Sequence, residues 1–285
     1  MKLTADKKIL IVGLGLLGGS YARSLTRQGY TVKCITRSQS TVDYALSEKM
    51  VAYATTEPEP SLIGEADLIV IALYPDVFVK WMQNYGKYIK KGAFITDVTG
   101  VKSCIVYKIQ SLLPDGVEFI ASHPMAGREV SGAKNSDESI FKGANYIITP
   151  TDKNTEEGIE LCRELGHTLG FARISELSPE EHDEMIAFVS QLTHCIAVSL
   201  MNASDNKKLC EYTGDSFRDL TRIARINEDM WSELFLLNKA ALLKEIDCFE
   251  AQLSRMRGYI ENGDAEGLKE MMRTSTERRS WFDKK

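Results

Sequence analysis

The pattern that most constrains this chain is a glycine series near its start. The apolar run Ile9-Leu10-Ile11-Val12 passes directly into Gly13-Leu14-Gly15-Leu16-Leu17-Gly18, a G-x-G-x-x-G spacing that closes a strand and opens a helix. Each glycine answers a physical need. The first permits a tight turn, the second lets backbone approach a pyrophosphate, and the third lets helix and strand pack closely, while unpaired N–H groups at the helix start attract phosphate. Gly13, Gly15, Leu16, Leu17 and Gly18 are therefore expected to hold a dinucleotide. A glycine-rich turn without a ligand is the alternative, and the strand before and helix after weigh against it. Lys7-Lys8 ahead of this run resembles the start of a signal peptide, but the glycines have the better explanation. The run is shorter than the roughly 18 apolar residues of a membrane span, and no later segment is expected to cross a bilayer.

The remainder fits an ordinary globular chain. Its 285 residues are 44% hydrophobic and carry a net charge of −5, which argues against a nucleic-acid partner. At this length two domains are expected. The six cysteines show no C-x-x-C pair and no histidine at metal-ligand spacing, so a reducing cytoplasm and no bound metal are expected.

Short apolar runs alternate with helical stretches up to about residue 175, the pattern of βαβ units around a parallel sheet. Strands are predicted at 8–13, 31–36, 68–73, 94–97, 119–122, 146–149 and 171–174, with helices near 18–28, 40–48, 76–88, 102–112 and 156–169. At Ser178-Pro179-Glu180-Glu181 an N-cap, a first-position proline and two acids announce a helical region. The predicted organisation is an α/β Rossmann-type domain over 1–175 and an all-α domain over 176–285, its tail after Met272 frayed. The apolar surface of the stretch from Met230 to Leu253 is wider than one neighbour requires. A second subunit or a central place within its own domain would each explain that.

The residue that reads the adenosine ribose belongs at the end of the second strand, where a carboxylate favours NAD. Here stand Thr36-Arg37-Ser38. Arg37 is suited to pair with a 2′-phosphate and Ser38 to donate to it, which favours NADP. NAD stays compatible if Arg37 stacks on adenine or points to solvent. Ligands in such folds bind beyond the strand ends, which places Leu73, Asp97, Thr99, Gly100 and His123 at the cleft. His123 there is a natural proton acceptor, because an ordinary imidazole is mostly neutral at cytoplasmic pH. A structural histidine capping a loop is the plainer alternative.

Five segments read together carry a resemblance. They are the glycine series, Thr96-Asp97-Val98-Thr99-Gly100-Val101-Lys102, Ser122-His123-Pro124-Met125-Ala126-Gly127-Arg128-Glu129, Ser190-Gln191-Leu192-Thr193-His194 and Phe217-Arg218-Asp219-Leu220-Thr221-Arg222-Ile223-Ala224. In this order, over nearly the whole chain, they closely resemble the prephenate dehydrogenase family of tyrosine biosynthesis. The resemblance implies a Rossmann domain, a helical domain that forms a homodimer, and an active site between them that takes a small dicarboxylate. It also implies His123 as catalytic, His194 as substrate-binding and Arg222 as the arginine that holds a substrate carboxylate. From the residues alone, His194 reads as a core histidine and Arg222 as half of a solvated pair with Asp219.

One departure stands out. Where the family commonly has Ser-Val-Lys, this chain has Gly100-Val101-Lys102, so a serine hydroxyl is missing and Thr99 is the nearest replacement. Three rivals remain in view: arogenate dehydrogenase, a β-hydroxyacid dehydrogenase, and a non-catalytic NADP-binding redox sensor. No K-x-x-x-N helix motif stands at the start of the helical region for the second, and the third leaves His123, His194 and Arg222 without a reason to converge.

Overall fold

The apolar run that precedes the glycines becomes the central strand of the molecule. The computed structural model describes residues 3–282. Strand β1 (Lys8–Val12) lies between β2 (Thr31–Ile35) and β4 (Leu68–Ile71), with β3 (Tyr53–Thr55), β5 (Phe94–Asp97) and β6 (Glu118–Phe119) completing a six-stranded parallel sheet in the order 3-2-1-4-5-6. Both faces are covered, which is why the strands read as unbroken apolar runs. Ile9 and Ile11 turn into one core with Tyr21, Leu25, Val32, Tyr146 and Leu165. Leu10 and Val12 turn into another with Ile69, Ile71, Phe78 and Val106.

Helices α1 (Leu16–Arg27), α2 (Gln39–Ser47), α3 (Pro60–Glu65), α4 (Pro75–Tyr85) and α5 (Val106–Ser111) make the crossovers. Strand β3 and helix α3 are too short to show periodicity and escape sequence reading. The helix expected from 102 starts at 106, and the backbone N–H groups of Lys102 and Ser103 ahead of it bond to a distant carboxylate, Asp183.

The last two predicted strands and the end of the one before them lie in a second, three-stranded sheet, a correction to the single-sheet expectation. Ile120 breaks the strand predicted at 119–122 into β6, which stays in the parallel sheet, and β7 (Ala121–Met125), and β7 pairs antiparallel with β8 (Asn145–Thr149). Strand β9 (Arg173–Glu176) then runs parallel to β8, two residues beyond its predicted start. Helix α6 (Glu156–Leu169) links β8 and β9, begun by a Thr155 cap and closed by Gly170 in the left-handed region.

From Ser178 the described chain is helical. A capping box between Ser178 and Glu181 starts α7 (Pro179–Ile186), which runs through a π-helical segment at 187–192 into α8 (Thr193–Asn202). This continuous helix is long and apolar enough to cross a membrane by length and composition, contrary to expectation. Only 28% of its most apolar window is buried within the subunit. It also carries the polar groups His182, Asp183, Gln191 and His194. Helices α9 (Asp215–Thr221), α10 (Glu228–Leu237), α11 (Lys239–Glu261) and α12 (Ala265–Ser280) follow. The tail expected to fray is helix to Ser280, with Glu266–Lys269 and Glu270–Arg273 pairs along it.

The glycine loop yields a test that separates folding from binding. A Cβ on Gly18 would collide with the Gly13 carbonyl oxygen and lie 3.0 Å from the Ala72 Cβ, whereas one on Gly15 would meet nothing within 4 Å. Gly18→Ala is expected to cost about 1–3 kcal/mol through overpacking, read by denaturant unfolding. Gly15→Ala is expected to unfold within about 1 kcal/mol of wild type yet to bind dinucleotide much more weakly, read by titration of the cofactor.

Candidate active site

Strand β7 carries His123 to the edge of the cleft between sheet and helices, where its ring keeps partial exposure. Its Nδ1 is 2.8 Å from His182 Nε2, and His182 Nδ1 is 2.8 Å from Asp183 Oδ1. The acceptor at the end of this chain assigns the protons: His182 donates to the carboxylate, His123 donates to His182, and His123 Nε2 keeps its lone pair. Asp183 is anchored by the backbone N–H groups of Lys102 and Ser103, at 2.8 and 2.9 Å, and by the Ser103 hydroxyl. Burial pushes the Asp183 carboxyl up, but the bonds from His182 and Ser103 outweigh it and hold it below the usual carboxylate value. Burial, the adjacent His182 and the Lys102 cation together hold His123 well below the ordinary imidazole value. It is therefore a neutral base.

The helices behind His182 are locked by two buried amides. Asn238, at the junction of α10 and α11, donates to the Asp183 carbonyl at 2.9 Å and to Gln191 Oε1 at 2.8 Å, and Gln191 donates to the Leu234 carbonyl at 3.1 Å. Gln191 sits in the π-helical segment, a distortion often found at functional sites.

His194 and Arg222 come together on the helical side. His194 stacks on Trp231 with ring centroids 3.7 Å apart and meets the Ser190 carbonyl at 2.8 Å through Nδ1. Burial lowers its pKa, with nearby Glu129 raising it and Arg222 lowering it. Arg222 does not pair with Asp219 as the sequence reading had it. Its guanidinium bonds to Glu129, six residues after His123. The exposed loop that follows His123 thus reaches the arginine.

Position 100 is open. A Cβ there would meet Leu234 at 3.5 Å and His123 Cε1 at 3.9 Å, ordinary contact distances. Thr99 does not fill the place of the missing hydroxyl: its Oγ1 is buried and bonds to Asp97 and, at 3.1 Å, to the Val101 carbonyl.

On the sheet side, Gly13 adopts φ +94° and lies against Ala72 and Leu73, while Leu16 and Leu17 begin α1. No side chain caps that helix at Gly15, in contrast to the Ser38, Thr155 and Ser178 caps elsewhere. Its first N–H groups and the clear space at Gly15 fit a dinucleotide pyrophosphate. Arg37 is exposed, Thr36 is buried with its N–H on the Thr55 carbonyl, and Ser38 caps α2. Asp97 corrects the expectation that it meets the cofactor. It is fully buried, with Oδ1 bonded to the Ser122 N–H at 3.0 Å and Oδ2 to Lys102 Nζ at 2.7 Å.

Sequence reading missed His182, Asp183, Trp231 and Glu129. The adjacent His182-Asp183 pair, one turn after a strong helix start, is a signal that could have found the first two.

Comparison with known proteins follows this geometry. The family model described as prephenate dehydrogenase, nucleotide-binding domain, matches residues 21–174, and that of the prephenate dehydrogenase dimerization domain matches 178–274. A prephenate dehydrogenase of Bacillus subtilis is 30% identical over 95% of this chain and 75% of its own length. A cyclohexadienyl dehydrogenase of Zymomonas mobilis is 30% identical over 97% of this chain and 96% of its own. The crystal structure of prephenate dehydrogenase from A. aeolicus in complex with hydroxyphenyl propionate and NAD+ superposes with a TM-score of 0.90 at 28% identity, covering 99% of this chain and all of that one. A histidine relay at the sheet edge, an uncapped glycine loop and two matching domain models end to end place this chain in the prephenate dehydrogenase family of NAD(P)-dependent oxidoreductases.

Proposed function

We propose that this chain converts prephenate to 4-hydroxyphenylpyruvate and carbon dioxide, with residues 1–175 holding the cofactor and 176–285 forming the substrate side and the dimer. The observation that carries the reading is the free Nε2 of His123 at the end of a buried relay, with Arg222 and His194 gathered by the loop that leaves it. His123 Nε2 takes the proton of the ring hydroxyl as the carbon that bears it loses hydride. Loss of carbon dioxide then makes the ring aromatic, and the phenolate oxygen takes the proton back from His123. When bound, the nicotinamide supplies the hydride acceptor. The imidazolium that forms is stabilised through His182 by the Asp183 carboxylate, so no charge is left unmatched in the interior.

Arg222 holds a substrate carboxylate through paired hydrogen bonds. It must exchange Glu129 for it. His194 stacked on Trp231 forms the wall beside that carboxylate. Glycine at 100 leaves the contact near the ring hydroxyl to His123 alone.

The exposed Arg37, with no carboxylate at the end of β2, favours NADP over NAD. Homodimer formation through the helical half is supported by the exposed apolar side chains of Met185, Phe188, Val189 and Met201 on the 179–202 helix and by Leu236, Leu243 and Leu253 beyond it. The reading places the enzyme in the cytoplasm, in keeping with six free thiols.

The direct test is formation of reduced cofactor from purified protein with prephenate or arogenate, each with NAD+ and NADP+. Turnover of prephenate is expected, faster with NADP+, and Arg37→Ala is expected to erase that cofactor preference; silence on both substrates with cofactor still bound would refute the assignment. His123→Asn is expected to lower kcat by about 10²–10⁴-fold, while Arg222→Ala raises the KM for prephenate with a much smaller change in kcat. Because the His123 pKa is depressed from 6.5, the base stays unprotonated through neutral pH. The acid limb of kcat/KM is expected below pH 6.5, with activity lost as pH falls through it.

A further inference from the structure

Beneath His123 lies an ion pair that the reaction as described does not use. Lys102 and Asp97 have no solvent exposure, and Nζ is 2.7 Å from Asp97 Oδ2. The ammonium also reaches the Ser122 carbonyl at 2.7 Å and Thr99 Oγ1 at 3.2 Å. Three hydrogens meet three acceptors, the inventory of a charged lysine. A buried pair of this kind rarely adds stability over apolar residues of the same volume. The surrounding sheet is built of isoleucine, leucine and valine, so its presence asks for another reason.

Its bonds supply one. Asp97 Oδ1 takes the N–H of Ser122 at 3.0 Å and Lys102 takes the carbonyl of the same residue, so the pair grips both backbone polar groups immediately before His123. The backbone N–H of Lys102 donates to Asp183 Oδ1 at 2.8 Å. One residue therefore holds the chain entering the base with its side chain and the far carboxylate of the relay with its main chain.

We propose that Lys102 is a positioning residue for His123: with Asp97 it fixes the backbone from which the imidazole projects, and it sets a buried cation behind that backbone. The charged and titratable groups facing His123 are Lys102 and Asp97 from the β5 side and His182 and Asp183 from α7, while α10 brings the apolar Leu234. The depressed His123 pKa agrees in direction, with burial first, His182 second and Lys102 third among its causes. This inference rests on the reading of His123 as the base.

The test uses the full chain in three forms: wild type, Lys102→Arg, and the double variant Asp97→Asn with Lys102→Met, which removes both charges at nearly constant volume. Two readouts are followed against pH, kcat/KM with prephenate and the His123 ring titration by NMR of the cofactor-free protein, assigned with His123→Asn. In the double variant kcat is expected to fall by up to about 10²-fold through misplacement of the base, the KM for prephenate to change little, and both the acid limb and the ring titration to move to higher pH. Lys102→Arg keeps the cation but not the fit, so kcat should fall while the acid limb stays near its wild-type position. A folded double variant with an unmoved acid limb and ring titration overturns the inference. If the double variant does not fold, the wild-type ring decides: titration at or above 6.5 overturns the proposal, and titration below it together with an unmoved limb in Lys102→Arg supports it. Full turnover in His123→Asn would instead overturn the reading of the base itself, so the two failures are distinguishable.

Discussion

The Asp183 carboxylate joins the two halves of the molecule. It lies at the start of the first helix after the sheets, yet it accepts the backbone N–H groups of Lys102 and Ser103 in the loop that ends strand β5. Those two donors belong to the sheet, and the imidazole of His182, its remaining ring partner, belongs to the helix. Burying an acid is costly unless its lone pairs are matched. Here they are matched across the cleft, so removing either side would leave a charge stranded in the interior. The relay to His123 can exist only when sheet and helices are docked, which makes the base a property of the assembled fold.

The chain segments that surround this carboxylate are tied to it and to one another by hydrogen bonds. Lys102 and Ser103 stand ahead of α5 with their N–H groups directed to Asp183. A π-helical segment over 187–192 brings Gln191 inward to Asn238 and the Leu234 carbonyl. Asn238 in turn holds the carbonyl of Asp183. Buried amides with all these partners define one arrangement of the helices where an apolar contact would tolerate several.

How much of this was legible depends on the range of the forces involved. Strand β1 and the glycine loop depend on neighbours within a dozen residues, so Ile9 to Gly18 declare themselves directly. The helix start at Ser178 is equally local. Strands β7 to β9 were visible as strands but not as a separate sheet, because strand direction is decided by pairing across 20 or more residues. His182 was invisible as a relay member for the same reason: its partner lies 59 residues away on another element. Asp97 was misplaced because position at a strand end was taken as access to the cleft, whereas its partner Lys102 draws the carboxylate inward. Arg222 was assigned its neighbour Asp219 by spacing, and the structure gives it Glu129, which lies 93 residues away.

Glycine at position 100 leaves open space beside the histidine. The space beside His123 Cε1 is lined by Leu234 and has room for a side chain at ordinary contact distance, so the loop has not collapsed around the loss. Under the proposed reading, a serine hydroxyl there would share the substrate's ring hydroxyl with the histidine. Without it, orientation of the base must come from behind. His123 is held through Nδ1 by His182, and the backbone just before it by the pair of Asp97 and Lys102. A base fixed through both its ring and its backbone needs less help from the substrate side, and under the proposed reading the carboxylate grip of Arg222, which the same loop reaches through Glu129, supplies the remaining constraint on how the ring is presented.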